Sequence, residues 1–323
     1  MENALFRLIL LLMMMFTFGF SDLAYLYRTQ GIDAVKAKIE EQLQQKEYWQ
    51  EYLENKDTKF GYYESKQYII YAQKQTRKIS LYKNDNNRLL KISDDSIIVG
   101  EKRGDKQREG DLKTPEGAYD LTSKITKLDA FYGPLALVTS YPNTFDKAYK
   151  KDGHGIWIHG MPLEEKREEY TKGCIALDNL ELTKLEQNIN FDESVLLISD
   201  SNVKDATKDE LSSILSLIYT WKDAWKKSDI DKYLSFYSKD FKKSNGVTFK
   251  SFKKYKTRIF SKNEEKDIIF SNINISLYPN SMNKRVFKVI MDEDYSSSSM
   301  TFNGKKELYL ELNDNKVEIL VEG

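Results

Sequence analysis

The chain has few of the residues that carry thiol, imidazole or metal chemistry. Its 323 residues include one cysteine, Cys174, and two histidines, His154 and His159. A single cysteine excludes an internal disulfide, and one cysteine with two histidines supplies too few ligands at a suitable spacing for a zinc site. The sequence therefore predicts no metal, and it gives no indication of a cofactor.

The chain also lacks an excess of charge of either sign and has little proline. Lys and Arg total 50, as do Asp and Glu, so composition gives no reason to predict nucleic-acid binding. The 5 prolines are outnumbered by 21 tyrosines and 16 phenylalanines, a composition that can form hydrophobic cores and differs from that of a disordered chain. The length favours two domains.

The chain has one long hydrophobic run, at its N-terminus. Leu8 to Phe20 is uninterrupted and follows Arg7; it is long enough for the core of a signal peptide and short for a membrane-spanning helix. We expect cleavage after Ser21, export through the Sec pathway and a periplasmic location. Retention of residues 5–20 as an inner-membrane anchor is the alternative.

The segment from Gly31 to Leu53 has the spacing of an amphipathic helix. Its apolar positions are Ile32, Val35, Ile39, Leu43, Trp49 and Leu53. Lys, Glu and Gln separate them, so one face is apolar and must be covered. Packing against its own chain is one hypothesis, and a homodimer contact through this helix is the other.

Extended segments follow from Tyr62 onward. Residues 68–71, 79–82, 89–92 and 96–99 are rich in β-branched and aromatic side chains and predict short strands. A long polar segment then ends in Thr114-Pro115-Glu116-Gly117, which suits a type I turn. This part of the chain therefore predicts a mainly β domain.

The cysteine and both histidines lie within one short stretch of sequence. Residues 156–158 predict a strand, so His154 and His159, five positions apart, should point to opposite faces. We predict that His159, which precedes Gly160, is the partner of Cys174. A backbone carbonyl beside this glycine can hold the ring nitrogen that does not face the thiol.

The residues before the cysteine support a nucleophilic role. Gly173 lets the chain turn tightly, so that the backbone N–H groups of Gly173 and Cys174 can converge on a developing oxyanion. Thr171 and Lys172 complete this turn, and the charges of Lys172 and protonated His159 favour the thiolate. The sequence therefore predicts a catalytic Cys-His pair.

Four further residues are candidate substrate contacts: Trp157, Arg167, Tyr132 and Tyr141. Trp157 shares the strand face of His159, and its alternative role is ordinary core packing. Arg167 belongs to six consecutive charged residues, 164–169, and the alternative for such a run is a solvated loop.

The pattern His159-Gly160 followed by Thr171-x-Gly173-Cys174-Ile175 resembles the signature of the YkuD-type L,D-transpeptidase family. Residues 113–119 resemble its TPxGxY segment, residues 195–198 resemble its closing strand, and the resemblance covers roughly residues 62–199. It implies action on peptidoglycan stem peptides (muropeptides). It also implies Cys174 as nucleophile, His159 as base and then acid, and the Gly160 carbonyl as orienter of the ring.

One departure from the family pattern bears on the reaction. Ala176 stands where typical members have Arg. The fuller pattern of residues 104–117 with YGPLAL, SYPN and TKGCIAL is similar to exported L,D-carboxypeptidases of curved and helical bacteria. That resemblance implies removal of the terminal D-Ala from tetrapeptide stems to give tripeptides. Crosslinking of stems, and an inactive wall-binding module, are the alternatives.

The C-terminal third predicts a separate α+β domain. Residues 211–225 have helical apolar spacing, and residues 268–277, 285–291, 306–312 and 316–321 predict strands. The opening W-x3-W…Y-x2-F-Y pattern resembles the NTF2-like fold. Residues 239–262 carry nine Lys or Arg; a solvated basic helix face and contact with an anionic wall polymer or lipid headgroups are the two interpretations.

We thus predict an α+β multidomain protein with a mainly β catalytic domain, an N-terminal helical segment and a C-terminal NTF2-like domain. The predicted boundaries are 1–21 for the signal peptide or anchor, 22–61 for the helical segment, 62–200 for the catalytic domain, 201–209 for a linker and 210–323 for the C-terminal domain.

Overall fold

A computed structural model describes residues 20–85, 88–163, 168–313 and 316–323. The helices are α1 (Phe20–Gln30), α2 (Ile32–Leu43), α3 (Lys46–Leu53), α4 (Thr144–Ala148), α5 (Asn179–Gln187), α6 (Lys208–Lys226), α7 (Ile230–Ser235) and α8 (Phe249–Phe260), with a 3₁₀ turn at Ala130–Tyr132. The strands are β1 (Gly61–Tyr63), β2 (Tyr68–Gln73), β3 (Lys78–Asp85), β4 (Arg88–Ile98), β5 (Gly117–Tyr119), β6 (Leu121–Ile125), β7 (Ala136–Thr139), β8 (Trp157–His159), β9 (Ile175–Leu177), β10 (Ser194–Ser199), β11 (Tyr237–Lys242), β12 (Lys266–Leu277), β13 (Val286–Ser297), β14 (Thr301–Asn313) and β15 (Lys316–Glu322).

The predicted N-terminal helix is two helices, α2 and α3, separated at residues 44–45. Trp49 and Leu53 are buried, and the Trp49 ring stacks on Tyr219 of α6 at 5.5 Å between centroids. Ile32 and Ile39, at the other end of the predicted apolar face, are 63% and 39% exposed. The apolar face therefore packs against its own chain at its C-terminal end, and the homodimer contact stays a prediction.

The predicted signal peptide or anchor lies outside the described residues, apart from its last two positions. Helix α1 begins at Phe20 and continues past Ser21, after which cleavage is predicted. Within the part of the chain that the structure describes, every helix is too short or too polar to cross a membrane. Cleavage and anchoring both stay predictions.

The catalytic motifs lie in a nine-stranded mixed sheet with the order β5-β10-β2-β3-β4-β9-β8-β7-β6. Residues 89–92 and 96–99, predicted as separate strands, form the single strand β4. The inward side chains of the sheet form one apolar core, which includes Ile70, Leu137, Ile158, Leu177 and Leu196. This core fixes the short strands β8 and β9, which carry or adjoin the predicted catalytic residues His159 and Cys174.

The C-terminal domain is a six-stranded sheet with the order β1-β12-β13-β14-β15-β11, and α6 packs against it. The predicted helix is confirmed and begins with a capping box, in which Thr207 and Glu210 bond each other's backbone N–H groups. The predicted strands after residue 266 are also confirmed. Strand β1 joins this sheet through pairing of Gly61 with Ser276, whereas the catalytic sheet starts at Tyr68.

The two sheets are joined by a shared core. Phe60, Phe145, Val286, Tyr278 and Tyr309 meet there with apolar residues of β2 and β10. Burial of this apolar surface between the sheets stabilises one relative placement of the two domains.

Buried ion pairs accompany the apolar contacts between the domains. Within the catalytic domain, Lys151 lies 2.6 Å from Asp105 and 3.0 Å from Asp146. From the C-terminal domain, the hydroxyl of Tyr278 donates to Asp146 at 3.3 Å. Lys288 of β13 lies 3.1 Å from Asp120. Because buried charges need fixed partners, these contacts specify how the domains sit together.

The segment between the domains, residues 201–207, has no regular secondary structure, but it is held at several points. Arg285 donates to the carbonyls of Lys204 and Asp205 at 2.8 Å. The N–H of Ala206 donates to the carbonyl of Lys59 at 3.0 Å. The segment predicted as a linker therefore packs against both the N-terminal and the C-terminal parts of the chain.

Candidate active site

Two neighbouring strands bring the predicted catalytic residues together. Strands β8 and β9 pair in parallel, with Ile158 opposite Ile175 and His159 opposite Ala176. Cys174 immediately precedes β9, so it lies beside Trp157 at the N-terminal end of β8. Parallel pairing thus places a histidine and a cysteine next to each other although fourteen residues lie between them in sequence.

The imidazole of His159 is buried and held by its own neighbour. Its Nδ1 atom lies 2.8 Å from the carbonyl oxygen of Gly160, and the side chain is 1% exposed. A carbonyl oxygen can only accept, so this contact requires a proton on Nδ1 and leaves Nε2 as the basic nitrogen. The ring of Tyr132 meets the imidazole edge-on at 5.1 Å between centroids.

The Gly160 carbonyl is fixed by close packing. The N–H of Gly160 donates to the carbonyl of Tyr132 at 2.9 Å, and the N–H of Met161 donates to Asn179 Oδ1 at 2.8 Å. A Cβ atom at position 160 would lie 2.1 Å from Asn179 Oδ1 and 2.9 Å from Pro134 Cδ. Glycine is therefore required at this position by the approach of its neighbours.

The turn before Cys174 is ordered by Thr171. The Thr171 hydroxyl donates to the carbonyl of Cys174 at 2.7 Å and accepts from the N–H of Gly173 at 3.0 Å. Gly173 has a φ of 136°, and a Cβ atom there would lie 2.8 Å from the Lys113 carbonyl. The Gly173 N–H, predicted as an oxyanion donor, is thus bound to Thr171 in this structure, and that role stays a prediction.

The thiol itself is partly accessible. Cys174 Sγ donates to the carbonyl of Gly155 at 3.3 Å, and the residue is half-buried. An accessible thiol beside a buried imidazole is the arrangement expected of a nucleophile and its base.

The Thr114-Pro115-Glu116-Gly117 segment supports the turn from behind. The N–H of Gly100 donates to the Thr114 hydroxyl at 2.8 Å, and Lys74 Nζ reaches the Thr114 carbonyl at 3.2 Å and Glu116 Oε1 at 2.9 Å. Burial raises the pKa of Glu116, while Lys74 opposes that rise. The segment predicted from sequence as a turn is therefore a buried support for the nucleophile.

The reactive residues open into one cleft of about 360 Å³. Cys174, His159, Tyr132, Thr171 and Lys172 line it. Its remaining wall is formed by Glu101, Leu112, Phe131, Glu168 and Tyr170. The cleft joins a thiol, an imidazole and aromatic surface, which is suited to covalent catalysis on a peptide.

Known proteins share this arrangement of domains. Residues 67–197 match the L,D-transpeptidase catalytic domain of the YkuD family, and residues 213–323 match the Cds6 C-terminal NTF2-like domain. The crystal structure of the helical cell shape determining protein Pgp2 from Campylobacter jejuni superposes with a TM-score of 0.82. It shares 38% identity, and the match covers 87% of this chain and 100% of that structure. The chain belongs to the YkuD-type L,D-transpeptidase family.

Two further relatives agree with this assignment. Bd1075 from Bdellovibrio bacteriovorus is 30% identical with a TM-score of 0.63, covering 80% of this chain and 92% of that structure. YafK of Escherichia coli strain K12, named as a candidate L,D-transpeptidase, is 36% identical over 76 residues. That match covers 24% of this chain and 28% of YafK.

The other predicted substrate contacts of this L,D-transpeptidase domain fall in different places. Tyr132 lines the cleft, and Trp157 packs against the Tyr132 ring at 5.4 Å without lining it. Tyr141 is buried in the core, where its hydroxyl donates to the carbonyl of Asp152 at 2.8 Å. Arg167 lies outside the described residues. Tyr132 is therefore the aromatic candidate that the structure brings beside His159.

His154 is exposed whereas His159 is buried, and the predicted strand alternation does not explain this difference. Strand β8 begins at Trp157, so His154 precedes it, between Gly153 and Gly155 with φ values of 95° and 68°. The premise that His154 lies on the opposite strand face is wrong. Its side chain is 80% exposed and lies 4.0 Å from Glu109.

A protein metal site usually needs three or more suitable ligands. Within residues 20–85, 88–163, 168–313 and 316–323, no three His, Cys, Asp or Glu side chains are arranged to hold a metal ion. His159 Nδ1 is already bound to the Gly160 carbonyl.

Sequence reasoning missed several polar residues that build the site's support. Lys74 and Asp105 hold the Thr114–Glu116 backbone, the latter by accepting from the Glu116 N–H at 2.9 Å. Asp111 orders the preceding loop by accepting from three backbone N–H groups, those of Gln107, Arg108 and Lys113. Of these residues, only Asp111 could have been identified from the local sequence, because an Asp next to a Gly commonly hydrogen-bonds the nearby backbone of a loop.

Proposed function

We propose that the protein is a peptidoglycan L,D-carboxypeptidase that removes the terminal D-Ala from tetrapeptide stems, leaves tripeptides and thereby contributes to cell shape. The observation that carries this proposal is the convergence of Cys174 and His159 on one cleft, with the imidazole held by Gly160. The similarity to Pgp2, a helical cell shape determining protein, supports the cellular role.

The geometry supports a two-step covalent mechanism. The His159 Nε2 atom takes the proton of Cys174 Sγ, and the thiolate attacks the carbonyl that precedes D-Ala. The carbon–nitrogen bond breaks as protonated His159 gives its proton to the leaving amine, which forms a thioester and free D-Ala. Water, deprotonated by His159, then hydrolyses the thioester and restores the thiol.

Ala176 supports hydrolysis over transfer to a second stem. The residue is fully buried in β9, between Ile98 of β4 and His159 of β8. It places no charge beside the histidine, where the family pattern has Arg. We infer that this site lacks one means of positioning an amine acceptor, so that water completes the reaction.

Crosslink formation is the second candidate function. The family is described by an L,D-transpeptidase domain, and the cleft wall includes the exposed side chains of Phe131 and Tyr170. Such an apolar wall can accept a second peptide. An inactive wall-binding module is the third.

The proposed substrate implies a location outside the cytoplasm. We propose export through the Sec pathway to the periplasm, directed by residues 1–21, with either cleavage or retention as an inner-membrane anchor.

Incubation of purified protein with disaccharide tetrapeptide, followed by chromatography and mass spectrometry, distinguishes the three functions. Tripeptide and free D-Ala support the carboxypeptidase, dimers support the transpeptidase, and an unchanged substrate supports the binding module. Cys174→Ala and His159→Ala should abolish turnover, whereas His154→Ala should retain it. Full activity in Cys174→Ala would overturn the assignment of the nucleophile.

A further inference from the structure

A second, open cavity of about 690 Å³ lies beside the catalytic cleft. Four cationic side chains line it: Lys102, Arg108, Lys113 and Lys150. None of the four forms an ion pair with any residue in the described ranges. Their charges are therefore available to a ligand.

The carboxylates of the same cavity are largely committed to the protein. Asp111 lies 2.8 Å from Lys106 Nζ and accepts from the backbone N–H groups of the loop, and Asp152 accepts from the Glu109 N–H at 2.6 Å. The third carboxylate, Glu109, lies 4.0 Å from His154. Most of the carboxylates in the cavity therefore bind other groups of the protein and do not neutralise the four cations.

This cavity adjoins the catalytic cleft across two backbone segments. Glu101 and Leu112 line the cleft, and the residues that follow them, Lys102 and Lys113, line the cavity. The N–H of Lys102 donates to the Leu112 carbonyl at 3.1 Å, which joins the two segments. A ligand bound at Cys174 would cross these two joined segments to reach the cavity.

Lys113 is also close to the nucleophile turn. Its carbonyl packs so tightly against Gly173, the neighbour of Cys174, that a Cβ atom at Gly173 would lie 2.8 Å from it. On the other side, Asp152 lines the cavity and Gly155 accepts from Cys174 Sγ. Two residues that line the cavity, Lys113 and Asp152, thus lie in segments that approach the turn of Cys174.

The loop that presents Lys102, Arg108 and Lys113 is held by several hydrogen bonds. Asp111 binds Gln107, Arg108 and Lys113 through their backbone N–H groups, and Lys106 is buried against it. Groups held in place before binding lose less entropy on binding than mobile ones. A guanidinium and ammonium groups on such a loop suit a carboxylate, which Arg can bind through two hydrogen bonds.

We propose that this cavity is a binding subsite for a carboxylate of the stem peptide, held by Lys102, Arg108 and Lys113 while the reacting carbonyl lies at Cys174. The inference rests on the proposed function for the identity of the peptide. The subsite holds the donor stem, which is a different role from the acceptor-positioning charge that is absent at Ala176. It selects stems whose carboxylates are free over stems in which they are amidated.

The test combines a charge-removing variant with a matched control. Lys102→Gln/Arg108→Gln/Lys113→Gln is compared with Lys227→Gln/Lys232→Gln/Lys316→Gln, which removes three exposed lysines of the C-terminal domain. Steady-state kinetics on tetrapeptide should show KM raised about tenfold in the first variant, as expected for loss of a charge-assisted contact, with kcat within about twofold of wild type. The control should match wild type.

Binding is measured separately by calorimetry in the Cys174→Ala background, with the free tetrapeptide and with peptides in which the terminal or an internal carboxylate is a carboxamide. With one of the amidated peptides, the proteins with wild-type and substituted loops should bind with equal affinity. The carboxylate that is amidated in that peptide is the one the loop binds. If the triple variant does not fold, the single variant Arg108→Gln, at an exposed position, replaces it in the kinetic and binding measurements.

The outcomes separate this proposal from the proposed function. Unchanged KM and affinity in the substituted loop would overturn the subsite, as would an equal loss of affinity for free and fully amidated peptides. Loop-dependent binding without any turnover in wild type would support the subsite and reject the carboxypeptidase.

Discussion

The Nδ1 atom of His159 lies 2.8 Å from the carbonyl oxygen of Gly160, the next residue in the chain. In a Ser-His-Asp triad a carboxylate orients the imidazole, and here a backbone carbonyl occupies that position. The orientation of the base therefore depends on the backbone conformation at Gly160. That conformation depends in turn on Asn179 and Pro134, which pack against it.

Gly160→Ala should lower kcat by about 100-fold, because a Cβ atom 2.1 Å from Asn179 Oδ1 forces the backbone to move and a displacement near 1 Å costs that much in rate. Steady-state kinetics and thermal melting check this prediction. Gly246→Ala, where no atom lies within 4 Å of the new Cβ, should keep wild-type kcat. Normal activity in Gly160→Ala would show that the carbonyl does not orient the base.

Tyr132→Leu and Tyr141→Phe should have opposite effects. Tyr132→Leu removes the ring that contacts His159 and Trp157, so we expect kcat to fall about tenfold with little change in stability. Tyr141→Phe removes the bond to the Asp152 carbonyl, so we expect a loss of about 1 kcal/mol in the free energy of unfolding and unchanged kcat. Kinetics and urea denaturation of both variants measure these changes. If KM rose more in Tyr141→Phe than in Tyr132→Leu, Tyr141 would instead be a substrate contact.

Lys288→Met should destabilise the protein by about 2 kcal/mol, because it removes a buried cation from two partly buried carboxylates, although Asp120 keeps Lys66 at 3.3 Å. Lys288 is 3% exposed and lies 3.1 Å from Asp120 and 3.5 Å from Glu307. The exposed pair of Lys316 and Glu318 provides the control, since Lys316→Met should change stability by less than about 1 kcal/mol. Equal urea midpoints for the two variants at pH 7 would contradict the prediction.

The stabilisation by Asp111 should depend on pH in a defined direction. Burial opposes ionisation, but hydrogen bonds from Lys106 and from the backbone N–H groups of the loop lower the pKa of Asp111 to about 2. The unfolded value is about 3.9, so the stabilisation is present above about pH 4 and is lost as the pH falls toward 2.

The variant Asp111→Asn measures this dependence. Urea denaturation should show the variant less stable than wild type at pH 7, with the difference shrinking between pH 4 and pH 2. A difference that stays constant over this range would show that the carboxylate charge is not what orders the loop.

Local patterns were enough to predict helix α6 and the proximity of His159 and Cys174, whose catalytic role stays a prediction. His159, Gly173 and Cys174 lie within one short motif, and the apolar spacing of α6 repeats within a single element. Both predictions rest on information that neighbouring residues carry.

Contacts between distant segments were not predictable in the same way. Lys74 binds Glu116 across the catalytic sheet, and Tyr141 resembles a groove aromatic in sequence but is buried against Tyr119. Such contacts depend on which strands become neighbours, and that follows from packing of the whole core.

The pairing of Gly61 with Ser276 has a consequence for how the chain must assemble. The edge strand of the C-terminal sheet is made before the catalytic domain, and the rest of that sheet is made after it. Topologically, the catalytic domain is an insertion within the other fold, so β1 cannot pair with β12 until the whole catalytic domain has been synthesised. Folding of that sheet therefore requires closure of a long loop, which is a slow step. Deletion of β1 or of the C-terminal strands would remove part of the same sheet.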